Sequence, residues 1–240
     1  MKTGFIAITG ATSGIGYAIA RTFIQKGYRV LLLGRRIDRL ANLASDDVLI
    51  RQVAATDRQA LDAALHDATE RFGPVEAIVN NAGRMLLGQI ETQGSAEWEE
   101  MFDVNALGVL HGMQAVLPSM IKRKTGTIIN ISSIAGKKTF ADHAAYVGTK
   151  FAVHAMSENV RGEVASHGVR VMTVAPGVVE TELLGHTTNE TIKDGYNDWK
   201  ESIDGGLDPQ VVADTVLFAF EQPQHVNIRE IVLAPTKQLD

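Results

Sequence analysis

Short apolar runs alternate with longer amphipathic stretches along the whole chain. Phe5 to Thr9, Val30 to Leu33, Val48 to Val53 and Ala77 to Asn80 read as strands, as do Gly126 to Ile131, Val169 to Val174 and Ile228 to Leu233. Several of these runs lack polar alternation, the pattern of parallel strands covered on both faces. Between them, helical periodicity predicts helices at about 14–26, 37–45, 57–72, 96–123, 145–167 and 209–221. Asp208-Pro209 starts the last of these with an N-cap residue and a proline at the first helical position. The alternation predicts an α/β fold in one domain over 1–240: a doubly wound parallel sheet of seven strands, helices on both faces, right-handed crossovers. The stretch 180–206, rich in Gly, Thr, Asn and Asp but carrying Tyr196 and Trp199, breaks the alternation. A connection of that length is usually functional or mobile, and it follows the sixth strand on the ligand-binding edge of such sheets. It is expected to be a substrate loop.

The turn after the first strand reads Thr9-Gly10-Ala11-Thr12-Ser13-Gly14-Ile15-Gly16. Glycines at 10, 14 and 16 permit a tight turn, close approach of a pyrophosphate and close helix–strand packing, and N–H groups at the helix start hold the anion. An ordinary glycine-rich turn has the same composition, but its position at the first strand–helix junction points to a Rossmann-like dinucleotide site lined by Gly10, Thr12, Ser13, Gly14, Ile15 and Gly16. After the second strand comes Gly34-Arg35-Arg36, with no carboxylate before Asp38. An acidic residue there would suit the ribose hydroxyl of NAD, whereas arginine suits a 2′-phosphate, so Arg35 and Arg36 favour NADP(H).

Tyr146 and Lys150 stand four apart and project from one helix face, with Ser133 thirteen residues before Tyr146. An ammonium beside a phenol favours the phenolate, so Lys150 is expected to draw the Tyr146 pKa towards neutrality and make it a proton donor and acceptor for an alcohol–carbonyl pair.

With these motifs the chain resembles the short-chain dehydrogenase/reductase family over essentially its whole length. Asn80-Asn81-Ala82-Gly83 is similar to the family's motif at the end of the fourth strand, and Pro176-Gly177, with Val179 and Thr181, to the segment closing over the nicotinamide carboxamide. Asn105, Ser133, Tyr146 and Lys150 fall where the family places its catalytic tetrad. The resemblance implies that Tyr146 exchanges a proton with the substrate oxygen and that Lys150 binds the nicotinamide ribose. Ser133 would orient the substrate oxygen and Asn105 would hold a relay water. Asn81, Ala82 and Gly83 would line the cofactor. It also implies a homotetramer, or a dimer, formed through the 96–123 and 145–167 helices.

Two departures stand out. The family often has an Asp after the third strand for the adenine, where Val53-Ala54-Ala55-Thr56-Asp57 places alanine, leaving backbone groups or Asp57. The ending Gln224 to Gln238 lacks the glycine-rich close of acyl-carrier-protein reductases. Together with Gly34-Arg35-Arg36 it resembles the NADP-dependent branch acting on serine and other small 3-hydroxy acids. The expected reaction is hydride transfer between NADP(H) and such an alcohol or carbonyl. A broad ketone reductase and a 3-oxoacyl thioester reductase are the alternatives within the class, and an inert nucleotide sensor or a scaffold the alternatives outside it. Arg84 and the 180–206 stretch are expected in the substrate wall, Arg84 either pairing with a substrate carboxylate or lying solvated. His143 receives no role.

Composition narrows the partners. With 45% hydrophobic and 21% charged residues the chain is ordinary for a globular protein. A formal charge of −5 gives no electrostatic reason to expect nucleic acid or an anionic membrane. No window approaches the run of about eighteen apolar residues that a membrane span needs, and the first residues lead into a strand rather than a signal peptide. The absence of cysteine excludes disulfides and thiolate chemistry and fits a cytoplasmic location. The seven histidines are scattered without a zinc-binding spacing, so no metal is expected.

Overall fold

Residues 4–239 are described by a computed structural model. Seven parallel strands form one sheet: β1 Phe5–Thr9, β2 Arg29–Gly34, β3 Val48–Gln52, β4 Val75–Asn80, β5 Gly126–Ile131, β6 Val169–Pro176 and β7 Glu230–Leu233. Their order is β3-β2-β1-β4-β5-β6-β7. Every residue of β1, β5 and β6 is buried, as their unbroken apolar runs require, whereas the edge strand β7 is half-exposed. On one face pack α2 (Arg58–Phe72), α4 (Gly108–Arg123) and α5 (Ala144–Val164); on the other pack α1 (Gly14–Gln25) and α7 (Pro209–Phe220). Because the order reverses between β1 and β4, the loops at their C-terminal ends diverge and leave a crevice, the usual ligand position in open α/β sheets.

Three expected elements differ. The 37–45 helix is a 3-10 turn over Ile37–Leu43. The 96–123 helix is broken into α3 (Ser95–Phe102), a π turn at Asp103–Leu107, and α4. Such a turn is a local register shift, frequent at functional sites. The 180–206 connection is largely ordered into helix: a 3-10 turn over Glu182–His186, then α6 (Glu190–Ser202) with the Asn189 side chain accepting from Ile192 N–H. Gly195 and the Thr and Asn residues disguise it, yet Ile192, Tyr196 and Trp199 recur at the i, i+4, i+7 spacing of one helix face.

The membrane expectation also needs correction. The stretch Ser95–Arg123 holds an 18-residue window of mean hydropathy 1.2, long and apolar enough to cross a bilayer by composition. Its buried side chains, among them Met101, Val109, Met113 and Val116, pack inside the protein, the arrangement of a core helix.

A polar thread crosses this core. Asn80 Nδ2 donates to Asn130 Oδ1 at 2.8 Å, and Asn130 Nδ2 donates to Ser157 Oγ at 2.8 Å, linking β4, β5 and α5. Gly112 of α4 lies against Asn80 so closely that a Cβ there would overlap Asn80 Oδ1. Gly112→Ala is therefore expected to destabilise the fold by about 1–3 kcal/mol, the usual cost of overpacking a core. Urea unfolding should show a lowered midpoint; an unchanged midpoint would mean that α4 shifts freely against the sheet.

Candidate active site

The glycine turn is shaped by its neighbours as much as by any ligand. Gly10 has φ +65°, and a Cβ there would press on the Ala82 main chain; a Cβ on Gly16 would strike the Gly10 carbonyl oxygen. Asn81 locks this arrangement: its Nδ2 donates to the Thr9 and Gly10 carbonyls at 3.1 and 3.2 Å, and its N–H donates to Thr9 Oγ1 at 3.0 Å. Ser13 occupies the N-cap of α1 without capping it. Its Oγ instead accepts from Arg36 Nη2 at 3.0 Å. The first N–H groups of α1 therefore open into the crevice, the arrangement that receives an anion.

From this turn a cavity of about 670 Å³ runs along the C-terminal edge of the sheet. At one end lie Arg35, Arg36 and Ala54 to Thr56; in the middle lie Gly10, Thr12 to Ile15, Asn81 to Gly83, Pro176, Gly177, Val179 and Thr181; at the other lie Ser133, Tyr146 and Lys150. The cavity thus brings together every expected site residue except Gly16, which packs the turn, and Asn105. Its length, its uncapped helix start and its terminal guanidiniums fit a dinucleotide carrying an extra phosphate. Asp57 takes no part in this wall: its carboxylate caps α2, accepting from Ala60 N–H at 2.9 Å, which leaves backbone groups for an adenine. Arg36 and Arg39 both pair with Glu182, at 3.2 and 2.8 Å. Arg39 foremost, and then Arg36, hold the Glu182 carboxyl below its ordinary range.

At the far end, Ser133 begins a 3-10 turn after β5, and its Oγ accepts from Ala135 N–H at 3.1 Å. Tyr146 and Lys150 lie in the first turns of α5, each 6% exposed. Asn105, in the π turn, is 1% exposed: its Oδ1 accepts from Arg84 N–H at 2.7 Å, and its Nδ2 donates to the Arg84 carbonyl at 2.8 Å and to Thr149 Oγ1 at 3.1 Å.

The expected electrostatic effect of Lys150 on Tyr146 is not what the geometry produces. Burial pushes the Tyr146 phenol above its ordinary value of 10, against the hydrogen bond with Ser133, which acts the other way. Burial also lowers Lys150 from 10.5 to about 8. Its Nζ lies 5.7 Å from the phenol ring centroid and donates to the Ile131 carbonyl at 3.1 Å. Desolvation penalises both charged forms and is the largest cause of each shift.

Several wall residues carry no motif. Arg84 is ion-paired rather than freely solvated: its Nη2 lies 2.9 Å from Glu100 Oε1, while its buried Nε has no hydrogen-bond partner. His143 joins an aromatic group, its ring centroid 5.6 Å from Phe140, 6.3 Å from Tyr146 and 6.2 Å from Tyr196, while Tyr196 meets Trp199 edge-on at 5.2 Å. Burial lowers the His143 pKa, so the ring faces the cavity neutral at neutral pH. Behind the site, Ser132 Oγ and His154 Nδ1 are 2.9 Å apart, and His154 Nε2 lies 2.9 Å from Glu230 Oε1, tying α5 to the edge strand. The one sequence signal for His154 is its place one turn after Lys150.

A model of the short chain dehydrogenase family matches residues 4–191. An uncharacterized oxidoreductase of Staphylococcus aureus (strain N315) is 38% identical over 234 residues, covering 95% of each chain. Among solved structures, the closed form of a serine dehydrogenase complexed with NADP+ superposes with a TM-score of 0.91 at 33% identity, covering 98% of this chain and 96% of that one. An alcohol dehydrogenase from the archaeon Thermococcus sibiricus, complexed with 5-hydroxy-NADP, gives 0.87 at 27% identity, covering 100% and 99%. The chain belongs to the short-chain dehydrogenase family. It is an oxidoreductase acting on CH–OH groups.

The depressed Lys150 pKa has a consequence for stability. Between pH 8 and 10.5 the unfolded chain holds a lysine proton that the folded chain has lost, so stability rises with pH through that window. Below pH 8 the burial cost is fully present, on the order of 3 kcal/mol. Lys150→Met should therefore be more stable than the parent at pH 7, with the gap in urea midpoint shrinking towards pH 10.5. A gap independent of pH would show that Lys150 remains charged on folding.

Proposed function

We propose that the chain catalyses reversible hydride transfer between NADP(H) and a secondary alcohol or ketone, with 1–240 acting as one dinucleotide-binding domain and 180–206 as its substrate segment. The observation that carries this reading is the meeting of Ser133, from the turn after β5, with Tyr146 and Lys150 of α5 in one cavity with the glycine turn and two arginines. NADP(H) is supported by the NADP+ and 5-hydroxy-NADP of the similar structures and by Arg35 and Arg36. Gly10, Thr12, Ser13, Gly14, Ile15 and Gly16 form the pyrophosphate turn, and Arg35 with Arg36 meets the 2′-phosphate. Asn81, Ala82 and Gly83 line the dinucleotide, and Pro176, Gly177, Val179 and Thr181 close on the carboxamide. When bound, the nicotinamide supplies or accepts the hydride.

The remaining chemistry belongs to the side chains. Ser133 hydrogen-bonds the Tyr146 hydroxyl and orients the substrate oxygen beside it. Burial keeps Tyr146 protonated, the form that donates to a carbonyl oxygen during reduction. Lys150 holds the nicotinamide ribose and supports return of the proton. Asn105 fixes the entry of that path by joining Arg84 to Thr149, the neighbour of Lys150. A small 3-hydroxy acid as substrate is supported by the likeness to serine dehydrogenase; a ketone without an acid group is supported by the apolar wall.

Tyr146→Phe should lower kcat about 10³-fold, within the range of a lost general acid, while the dissociation constant for NADPH in fluorescence titration stays within about twofold. Unchanged turnover would remove Tyr146 from the chemistry, whereas NADPH binding with no turnover in the parent chain would favour a nucleotide sensor.

The acting form we propose is a cytoplasmic homotetramer. Two separate apolar faces support it: Phe102, Leu107, Leu110 and Phe151 on the α3–α5 side, and Val211, Phe218 and Val232 on α7 and β7. Light scattering at working concentration should give four times the 25.9 kDa chain mass. A monomeric mass would overturn the assembly.

A further inference from the structure

The wall around Tyr146 differs from what a charged hydroxy acid needs. A substrate carboxylate removed from water requires a cation or several donors, or its burial costs several kcal/mol. Two side-chain cations in the nearby wall already have a carboxylate partner: Arg84 has Glu100 at 2.9 Å, with its buried Nε left without a hydrogen bond, and Lys200 has Glu180 at 2.8 Å. Lys150 is turned onto the Ile131 carbonyl. Beside Tyr146, the acidic side chain in the wall is Asp142, which has no side-chain hydrogen bond or ion pair among the described residues and repels an anion. His143 stands next to it as a neutral ring.

The rest of the wall is apolar. Tyr146 itself belongs to a cluster with Met85, Leu87 and Ala135, against which Phe140, Ile192 and Tyr196 pack. Tyr196 and Trp199 meet edge to face at 5.2 Å, and the Tyr196 and His143 rings are tilted by 31° with centroids 6.2 Å apart. Aromatic side chains in such arrangements favour a further ring by stacking and edge contacts. Small hydroxy acids bring neither a ring to fill this seat nor a neutral group to tolerate it.

We propose that the substrate is an uncharged ketone, or its secondary alcohol, bearing an aromatic or bulky apolar substituent that sits against Phe140, His143, Tyr196 and Trp199 while its oxygen meets Tyr146. This rests on the reading of the chain as an NADP(H)-dependent oxidoreductase. In reduction, hydride passes from NADPH to the carbonyl carbon, and the Tyr146 proton passes to the oxygen. NADPH leaves as NADP+ and the ketone as a secondary alcohol.

The test is a steady-state comparison on the full chain, following NADPH absorbance. Acetophenone is paired with 4-acetylbenzoate, the same ketone with a carboxylate added; butanone serves as the small neutral ketone; L-serine and 3-hydroxybutyrate are offered with NADP+. Acetophenone is expected to exceed 4-acetylbenzoate and both hydroxy acids in kcat/KM by at least about a hundredfold, the cost of desolvating an unmatched carboxylate. Turnover of a hydroxy acid or 4-acetylbenzoate equal to or above that of acetophenone overturns the substrate class and leaves the oxidoreductase reading standing. No hydride transfer with any of the five overturns that reading itself.

Trp199→Ala adds a second measurement. It should raise KM for acetophenone about tenfold, the upper range of an aromatic contact, and change KM for butanone by less than about threefold. Equal losses on both ketones would show that α6 merely closes the cavity, and would overturn the aromatic seat.

Discussion

The Thr9 hydroxyl stands at the point on which the cavity depends. Thr9 ends β1, where the strand order turns back, and its Oγ1 accepts the N–H groups of Asn81 and Ala82 at 3.0 and 3.1 Å. It thereby joins the ends of two strands whose following segments must diverge. From there a continuous hydrogen-bonded path runs through the segment Asn81 to Arg84 and the Asn105 side chain to Thr149, the residue before Lys150. The glycine turn and the buried tyrosine–lysine pair therefore share one rigid frame. Within it the turn is joined to α5 through main-chain groups and the buried side chains of Thr9, Asn105 and Thr149.

That frame explains how an unfavourable arrangement persists. A lysine and a tyrosine, each 6% exposed, sit where burial opposes charge on either. Such a site costs stability, and the surrounding sheet, buried on both faces, compensates for it. Behind the pair, His154 links Ser132 to Glu230, so the edge strand also bears on the register of α5.

Much of this was legible in the chain. The seven strands appear as apolar runs because a two-sided parallel sheet leaves few positions for polar residues, and the glycine turn appears because Gly10 and Gly16 have no room for a Cβ. Ser133, Tyr146 and Lys150 were legible as a spacing and meet in space. The break at Asp103–Leu107 was not, since a π turn keeps helical periodicity and shifts it by one residue. The proton balance of Tyr146 was not legible either: spacing records which groups are near, whereas their pKa values follow from how much water is excluded. Half of the aromatic wall was legible, since Tyr196 and Trp199 stood out in the 180–206 stretch expected to wall the substrate. Phe140 and His143 were not, because they meet Tyr196 only once α6 has folded over them.

That helix has no buried residue along its thirteen positions, and it meets the rest of the protein through a few half-buried side chains such as Ile192, Tyr196 and Trp199. The global stability of the sheet is therefore nearly indifferent to its composition, and local opening of α6 draws on the low end of the stability range. Substitutions on its inner face can change what the cavity accepts while the frame that carries the chemistry stays as it is. In this architecture the part of the selectivity wall carried by α6 is separable from the segments that hold the fold together.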